Sequence, residues 1–501
     1  MRLIALAFAA ILGGCAGLPA GIDRPPSSVL ADTGGTRLGR ALAPAVAVSA
    51  GKTGIHALGN ARDAFAARVL LARAAERSLD VQYYIWRADT TGGLLMEALW
   101  QAAERGVRVR LLLDDNNTRG MDEALATLDA HPNIEVRLFN PYANRAFRLG
   151  EMVGSFARVN RRMHNKSFTA DNQVAIVGGR NVGDEYFGAD TPVAFDDLDV
   201  VAAGAVVSEV SRSFDAYWNS DSAYPAASLI RGSPASAAQV RAAWAKLNDD
   251  PAAKKYVEAL RATPLVHRLL ASDLPLEWAR ARVVSDDPAK VLHPPERTEE
   301  HMLPRLVAAL GEPARQLDLV SPYFVPTKDG TAALRTLAGR GVQVRVLTNS
   351  LAATDVAPVH AGYAKYREEL LRAGVRLYEL KPTATQTSER GGIGGSSDAS
   401  LHAKTFAVDR SRIFVGSFNF DPRSARLNTE MGVVVESATL AAQLSEALDR
   451  DLPRDAYEVR LVEDKLQWID GNVRHTSEPG AGWLRRIWIG FLSILPIEWL
   501  L

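Results

Sequence analysis

One short pattern occurs twice in this sequence and decides its fold. The first copy is His164-Asn165-Lys166, followed by Asp171 and by Gly178-Gly179-Arg180-Asn181. The second copy is His402-Ala403-Lys404, followed by Asp409 and by Gly416-Ser417-Phe418-Asn419. The two histidines are 238 residues apart, and so are the two final asparagines. Five residue types matching in register at two places indicate a duplicated unit.

The segments around the pattern are duplicated as well. Residues 79–81 match 317–319, residues 105–112 match 340–347, and residues 136–139 match 375–378, at offsets between 235 and 239. Each copy alternates short β-rich runs with helical stretches, which is typical of an α/β fold. The sequence therefore predicts two duplicated α/β domains, with the active site at their pseudo-twofold interface.

The length and composition agree with this organisation. A chain of 501 residues, 47% of them hydrophobic, can form two or more packed domains and is not a disordered or disulfide-stapled chain. We predict an export signal at 1–15, a Pro- and Gly-rich tether at 16–60 and a first domain at 61–217. A helical insertion at 218–300, a second domain at 301–450 and a C-terminal extension at 451–501 follow.

The duplicated side chains suit phosphodiester chemistry. Side chains alternate along a strand, so His164 and Lys166 project from one face, as do His402 and Lys404. Two lysines with Asn181 and Asn419 would bind an anionic group. One neutral histidine could then attack phosphorus while the other, protonated, donates to the leaving alkoxide. This scheme requires no cofactor, and the other histidines lack the spacing of a zinc site.

Several nearby residues have predicted supporting roles. A nucleophilic histidine needs an acceptor for its second nitrogen, and we predict Glu430 and, in the first copy, Asp199 as these orienting carboxylates. Asp171 and Asp409 are predicted to be structural, binding nearby backbone or cations at strand ends. Tyr83, Tyr84 and Trp86 could line an acyl or headgroup pocket, but we favour core packing for them.

The two motifs, His-x-Lys-x4-Asp followed by Gly-Gly/Ser-x-Asn, resemble the signature of the phospholipase D superfamily over residues 60–450. Within it, the lipobox-like Leu12-Gly13-Gly14-Cys15, the two motifs in one chain and the segment Tyr83-Tyr84-Ile85-Trp86 look most like the bacterial phospholipase D-like lipoproteins and C-type cardiolipin synthases. The resemblance implies that His164 is the nucleophile, forming a phosphohistidine, and that His402 is the general acid. It also implies four phosphate ligands: Lys166, Lys404, Asn181 and Asn419.

The first residues predict export and lipidation. Arg2 is followed by an apolar run over 3–12, too short to span a bilayer as a helix. Leu12-Gly13-Gly14-Cys15 resembles a bacterial lipobox, which implies a lipoprotein acylated at Cys15, the one cysteine. Such a protein is expected in the bacterial cell envelope, membrane-anchored and facing the periplasm. Ala16 after the cysteine favours the outer over the inner membrane.

The last residues allow two interpretations. Residues 483–501 are rich in Trp, Ile and Leu and contain Arg485 and Arg486, a combination suited to the headgroup region of a membrane. Such a segment can equally dock on the protein's own core. The sequence does not choose between the two.

The acceptor of the transferred group decides the reaction. Transfer of a phosphatidyl group to the hydroxyl of another phospholipid gives cardiolipin, and we expect this reaction because a lipid-anchored enzyme meets lipid acceptors at high local concentration. Hydrolysis to phosphatidic acid and metal-independent phosphodiester or nucleic-acid cleavage are the alternatives. Basic and acidic residues both number 58, which argues against nucleic acid as a partner. Intact motifs in both copies argue against an inactive binding module.

Overall fold

The computed structural model describes residues 17–189, 194–270, 273–382, 399–495 and 497–501. The expected signal at 1–15, with Cys15, lies outside these residues. Among the residues described, no helix combines the length and apolar character needed to cross a bilayer.

The first half of the chain forms a mixed α/β unit. Its strands are β1 Thr53–Leu58, β2 Ser78–Tyr83, β3 Arg108–Asp114, β4 Ile134–Phe139, β5 Ser167–Ala170, β6 Val174–Gly178, β7 Ala194–Asp196, β8 Asp199–Gly204 and β9 Ala223–Pro225. Its helices are α1 Arg37–Val48, α2 Ala61–Ala74, α3 Thr90–Glu104, α4 Asp122–Asp129, α5 Arg148–Gly154, α6 Phe156–Val159, α7 Asp184–Phe187 and α8 Val207–Trp218. The strand order is β9-β4-β3-β2-β5-β6-β8-β1.

A helical segment joins the two halves. It comprises α9 Ala237–Asp249, α10 Pro251–Arg261 and α11 Pro264–Leu270. Side chains cap the first two helices: Ser236 forms a capping box with Gln239, and Asp250 accepts hydrogen bonds from the backbone at the start of α10.

The second half repeats the first and extends it. Its strands are β10 Glu277–Ser285, β11 Gln316–Val320, β12 Gln343–Asn349, β13 Arg376–Leu380, β14 Ala399–Leu401, β15 Lys404–Val408, β16 Arg412–Gly416, β17 Met431–Glu436, β18 Ala456–Val462, β19 Lys465–Asp470 and β20 Val473–His475. Its helices are α12 Met302–Leu310, α13 Thr327–Gly339, α14 Ala357–Ala364, α15 Arg367–Arg372, α16 Pro422–Arg426, α17 Ala438–Asp455 and α18 Trp483–Ser493. The strand order is β10-β17-β16-β15-β11-β12-β13-β18-β19-β20.

The two halves meet through equivalent strands. Strand β1 pairs antiparallel with β10, and the short strands β7 and β14 pair in parallel. A buried aspartate pairs with an arginine at matching places: Asp80 with Arg110 at 2.7 Å, and Asp318 with the half-buried Arg345 at 2.8 Å. The predicted duplicated α/β fold is therefore present in the structure, with a pseudo-twofold relation between the halves.

Four predicted boundaries need correction. The segment 16–60 is not only a tether, because it contains α1 and the sheet strand β1. The segment 218–300 is not wholly helical, because it contains β9 and β10. Strands β1 and β10 occupy equivalent positions, so each repeat begins before the residue expected, 61 or 301. The C-terminal extension likewise continues the second sheet through β18.

Three large hydrophobic cores among the described residues stabilise this arrangement. One lies in each half, and a third contains side chains of both halves, including Val177 and Val200 from the first and Val415 and Val433 from the second. Burying such side chains contributes about 1.5–3 kcal/mol each. The shared core fixes the two halves against each other, so groups at their interface can form one site.

Candidate active site

Each histidine motif lies next to a strand and is held by the opposite repeat. The backbone N–H of His164, just before β5, donates to the carbonyl of Thr429 at 2.8 Å. The backbone N–H of His402, just after β14, donates to the carbonyl of Asp196 at 2.8 Å. These crossed backbone contacts bring the two motifs together at the interface.

Both histidines line one cleft of about 680 Å³. Asn181 and Asn419 line the same cleft. Lys166 and Lys404 are buried beside the histidines, and the ammonium of Lys404 lies 2.8 Å from Nδ1 of His402. The structure therefore brings together all six residues expected to act on the phosphodiester.

Each imidazole contacts a carboxylate of the other repeat. Nδ1 of His164 donates to Oε2 of Glu430 at 2.8 Å, and Nδ1 of His402 donates to Oδ2 of Asp197 at 2.5 Å. Glu430 is fixed in turn by the hydroxyls of Ser417 and Ser424, at 2.5 and 2.8 Å. These contacts orient both rings and engage Nδ1, so Nε2 is the nitrogen of each ring that is left to react with a substrate.

The prediction of Asp199 as an orienting carboxylate is wrong. Asp199 pairs instead with the buried Arg68 at 2.8 Å. Gly178 pairs with Asp199 as Gly416 pairs with Gly432, so the counterpart of Glu430 is Asp197. A shift of two residues along an extended chain keeps a side chain on the same face, and alternation alone cannot detect it.

A glycine provides a signal for Asp197 that sequence reasoning missed. A Cβ added to Gly179 would lie 2.1 Å from Oδ1 of Asp197. The matching residue of the second repeat, Ser417, instead carries a hydroxyl that binds Glu430. The motif with glycine at this position, Gly179, therefore faces Asp197, and the motif with serine, Ser417, faces the longer Glu430 side chain.

The motif aspartates bind backbone outside the cleft lining. Oδ1 of Asp171 accepts hydrogen bonds from the N–H groups of Arg77 and Ser78, at 2.7 and 2.9 Å. Asp409 makes equivalent bonds with Arg315 and Gln316 before β11. Both aspartates have positive φ, 51° and 53°. Each therefore ties the tight turn after its motif strand to the neighbouring strand, the structural role expected of it.

The two motif asparagines differ in whether their amide groups have hydrogen-bond partners within the protein. Asn181 accepts from the backbone N–H of Ile85 and donates to the hydroxyl of Tyr186, both at 3.1 Å. Among the described residues, Oδ1 of Asn419 has no hydrogen-bond partner although it is buried. A buried amide facing the cleft without a protein partner suits a ligand that supplies the missing bond.

Aromatic side chains flank the histidines. Tyr84 packs edge-on against His164 with ring centroids 5.1 Å apart, and Tyr186 packs against His402 at 5.2 Å. Tyr84 lines the cleft, so its assignment to core packing is wrong, whereas Tyr83 and Trp86 are buried as expected. Tyr84 alternates in direction with Tyr83, which explains why only one of the two faces the core.

Burial disfavours the charged form of the titratable groups in this site. It lowers the pKa of His164 and of His402 well below the ordinary value, and the two nearby lysines lower both further. It also lowers the pKa of Lys404 to about 8, against the opposing effect of Asp197. Burial raises the pKa of Glu430 to about 7. An anionic phosphodiester in the cleft would favour protonation of the two histidines and of Lys404.

Comparison with known proteins identifies the class. A family model described as "Cardiolipin synthase, PLD-like domain" matches residues 70–218 and 306–452, more than half of the chain. The fold and the paired motifs agree with this match, and the chain belongs to that family, within the phospholipase D superfamily of enzymes.

Individual proteins similar to this chain include two cardiolipin synthases and one solved structure. The chain is 47% identical over 476 residues to cardiolipin synthase C of Escherichia coli strain K12, covering 93% of this chain and 100% of the relative. It is 27% identical to cardiolipin synthase A of Pseudomonas aeruginosa strain LESB58, covering 82% of this chain and 70% of the relative. The crystal structure of phosphatidylserine synthase from Haemophilus influenzae Rd KW20 shares the fold, with a TM-score of 0.58, 13% identity and coverage of 93% and 100%.

Proposed function

We propose that this protein is a phosphatidyltransferase that makes cardiolipin through a phosphohistidine intermediate. The observation that carries the proposal is the crossed pairing of His164 with Glu430 and of His402 with Asp197 around one cleft. Two oriented imidazoles in one cleft allow one to attack phosphorus while the other transfers protons. The names of the two bacterial cardiolipin synthases that it resembles support the choice of product.

The first half-reaction forms the covalent intermediate. Nε2 of His164 attacks the phosphorus of a donor phospholipid, and the bond from phosphorus to the headgroup oxygen breaks. His402, protonated while the anionic substrate is bound, donates its proton to the departing alkoxide. Lys166, Lys404, Asn181 and Asn419 bind the non-bridging oxygens, where negative charge increases.

The second half-reaction releases the product. A glycerol hydroxyl of phosphatidylglycerol loses its proton to the now neutral His402 and attacks the phosphohistidine. The bond from phosphorus to Nε2 breaks, which regenerates His164 and yields cardiolipin. Apolar side chains in the cleft wall, among them Val356, Val359 and Leu500, limit access of water, the competing acceptor.

The proposed location follows from the sequence at the N-terminus. Acylation of Cys15 would hold the protein on a membrane of the bacterial envelope, facing the periplasm, with the outer membrane preferred. The C-terminal extension would add a second contact with lipid. Intact-mass spectrometry of detergent-extracted protein tests the anchor: we expect a chain that begins at an acylated Cys15, and an unmodified cysteine would contradict it.

Lipid mass spectrometry tests the proposed reaction. Purified protein is incubated with vesicles of phosphatidylglycerol and phosphatidylethanolamine, next to a His164→Asn variant and a His267→Asn control, whose exposed histidine lies on α11. We expect cardiolipin from the unmodified protein and the control but not from His164→Asn. Phosphatidic acid as the main product would instead identify a hydrolase, and unchanged lipids would refute phospholipid chemistry.

A further inference from the structure

Helix α18 leaves an unusually apolar face uncovered. Its inner face docks on α14 through the buried Ile489 and Leu492. Its outer face and the residue that follows it expose six large apolar side chains, with exposed fractions from 48% to 76%: Trp483, Leu484, Ile487, Trp488 and Phe491 on the helix and Ile494 directly after it. The outer face of a docked surface helix is ordinarily polar, so a continuous apolar face indicates a binding partner.

A second exposed apolar segment comes from the first repeat. In and next to α5 and α6, Phe147, Leu149, Val153 and Phe156 are exposed by 60%, 74%, 82% and 38%. No residue of α5 is buried. This segment is far from α18 in sequence and belongs to the other repeat.

One cleft residue connects the two apolar segments. Arg423, which lines the cleft, donates to the carbonyl of Asn160, directly after α6, at 2.9 Å. Its guanidinium also donates to the carbonyl of Leu500 at 2.9 Å, in the turn that follows α18. Leu500 and Leu501 themselves line the cleft. Both apolar segments therefore lead directly to the rim of the cleft that contains His164 and His402.

The charges near these segments suit anionic headgroups. Helix α18 contains Arg485 and Arg486 and no acidic residue. Arg485 donates to the carbonyl of Thr354, Arg486 to the hydroxyl of Ser477, and Arg161, next to α6, to the carbonyl of His293. Because these partners are uncharged, the arginines can attract an anionic surface, and tryptophan beside arginine is suited to a membrane interface.

We propose that the outer face of α18 and residues 147–156 form one membrane-docking rim that lays the mouth of the catalytic cleft against a phospholipid bilayer. This inference rests on the proposed function and adds the surface by which a lipid substrate arrives. A phospholipid would then pass from the bilayer into the cleft without crossing water. Residues 147–156 of the first repeat would form one side of the membrane contact, and helix α18 of the C-terminal extension would form the other.

Fluorescence quenching tests the contact directly. The full chain is reconstituted on vesicles containing phosphatidylglycerol and phosphatidylcholine with brominated acyl chains, which quench tryptophan on contact. In a background with Trp483→Phe, Trp488→Phe and Trp499→Phe, a reporter is introduced as Phe147→Trp. The matched control is Val48→Trp, at a 90% exposed position on α1. We expect bromolipid quenching of the reporter at 147 and none of the control.

Kinetics separate docking from catalysis. Two triple variants are compared with the unmodified chain: Trp483→Ser/Ile487→Ser/Trp488→Ser and Phe147→Ser/Leu149→Ser/Phe156→Ser. We expect each to make cardiolipin from vesicles on the order of tenfold more slowly, because apolar area is lost from the interface. On short-chain phospholipids dissolved as monomers, both should match the unmodified chain.

Three results would refute the proposed membrane-docking rim. An unquenched reporter at 147, or triple variants with full activity on vesicles, would refute it and leave these faces to a protein partner. Equal losses on monomeric and vesicle substrates would also refute it, because such losses indicate damage to the cleft. If quenching occurs but the unmodified chain makes no cardiolipin, the proposed function fails while the rim stands.

Discussion

Replacing His164 by Asn is expected to reduce cardiolipin formation by about 10⁴-fold or more, because the covalent route needs a nucleophile that asparagine cannot supply. His402→Asn is expected to reduce it by roughly 10²–10⁴-fold, the range for losing a general acid and base. Steady-state rates on mixed vesicles, with product measured by mass spectrometry, check both values.

Two comparisons make this result decisive. His267→Asn removes an exposed histidine on α11 and should leave the rate unchanged. Circular dichroism should show that both cleft variants fold, since the asparagine amide retains an N–H donor for the buried carboxylate, Glu430 or Asp197, that each imidazole contacts. A His164→Asn variant with a rate within tenfold of the unmodified protein would contradict covalent catalysis by this residue.

Asp197→Asn is expected to lower kcat by roughly 10²–10⁴-fold and to change its pH dependence. The Asp197 carboxylate orients His402 and raises the pKa of Lys404, which burial lowers to about 8. Lys404 is charged below its pKa, so activity should fall as pH rises through about 8. Without the carboxylate this pKa falls further, and the alkaline decline should move to lower pH.

Matched variants distinguish positioning from general damage. Glu430→Gln should also lower kcat and move the alkaline decline of activity to lower pH, because Glu430 orients His164 and raises the pKa of Lys404. Asp409→Asn removes a carboxylate that binds backbone outside the cleft lining. This variant should therefore change the thermal stability, while the pH at which activity declines should stay the same. An Asp197→Asn variant whose alkaline decline stays at the original pH would contradict the role of Asp197.

The sequence predicted the parts of the site that repeat in register. His164, Lys166 and Asn181 recur as His402, Lys404 and Asn419, so duplication alone placed them at one interface. Asp197 was not predictable in this way, because its segment has a different length from that of Glu430. It reaches His402 next to the β7–β14 pairing, a contact between residues about 200 apart that local pattern does not encode.

The boundaries of the repeats were harder to predict for a related reason. Strands β1 and β10 pair only with strands distant in sequence: β1 with β8 and β10, and β10 with β1 and β17. Pro- and Gly-rich sequence before β1 and helical periodicity before β10 therefore dominated the prediction. In the C-terminal extension, both interpretations concerned one helix: Ile489 and Leu492 dock on the protein, while the opposite face stays exposed.

Direct detection of the covalent intermediate tests the central claim, that the two half-sites form one centre working through a phosphohistidine. His402→Asn protein is mixed with phosphatidylglycerol vesicles, quenched rapidly at alkaline pH, where phosphohistidine survives, and digested for peptide mass spectrometry. A phosphatidyl group attached to His164, and absent from a parallel sample of His164→Asn, is the predicted result. An adduct that forms in His164→Asn and is missing in His402→Asn would contradict the assignment and make His402 the nucleophile.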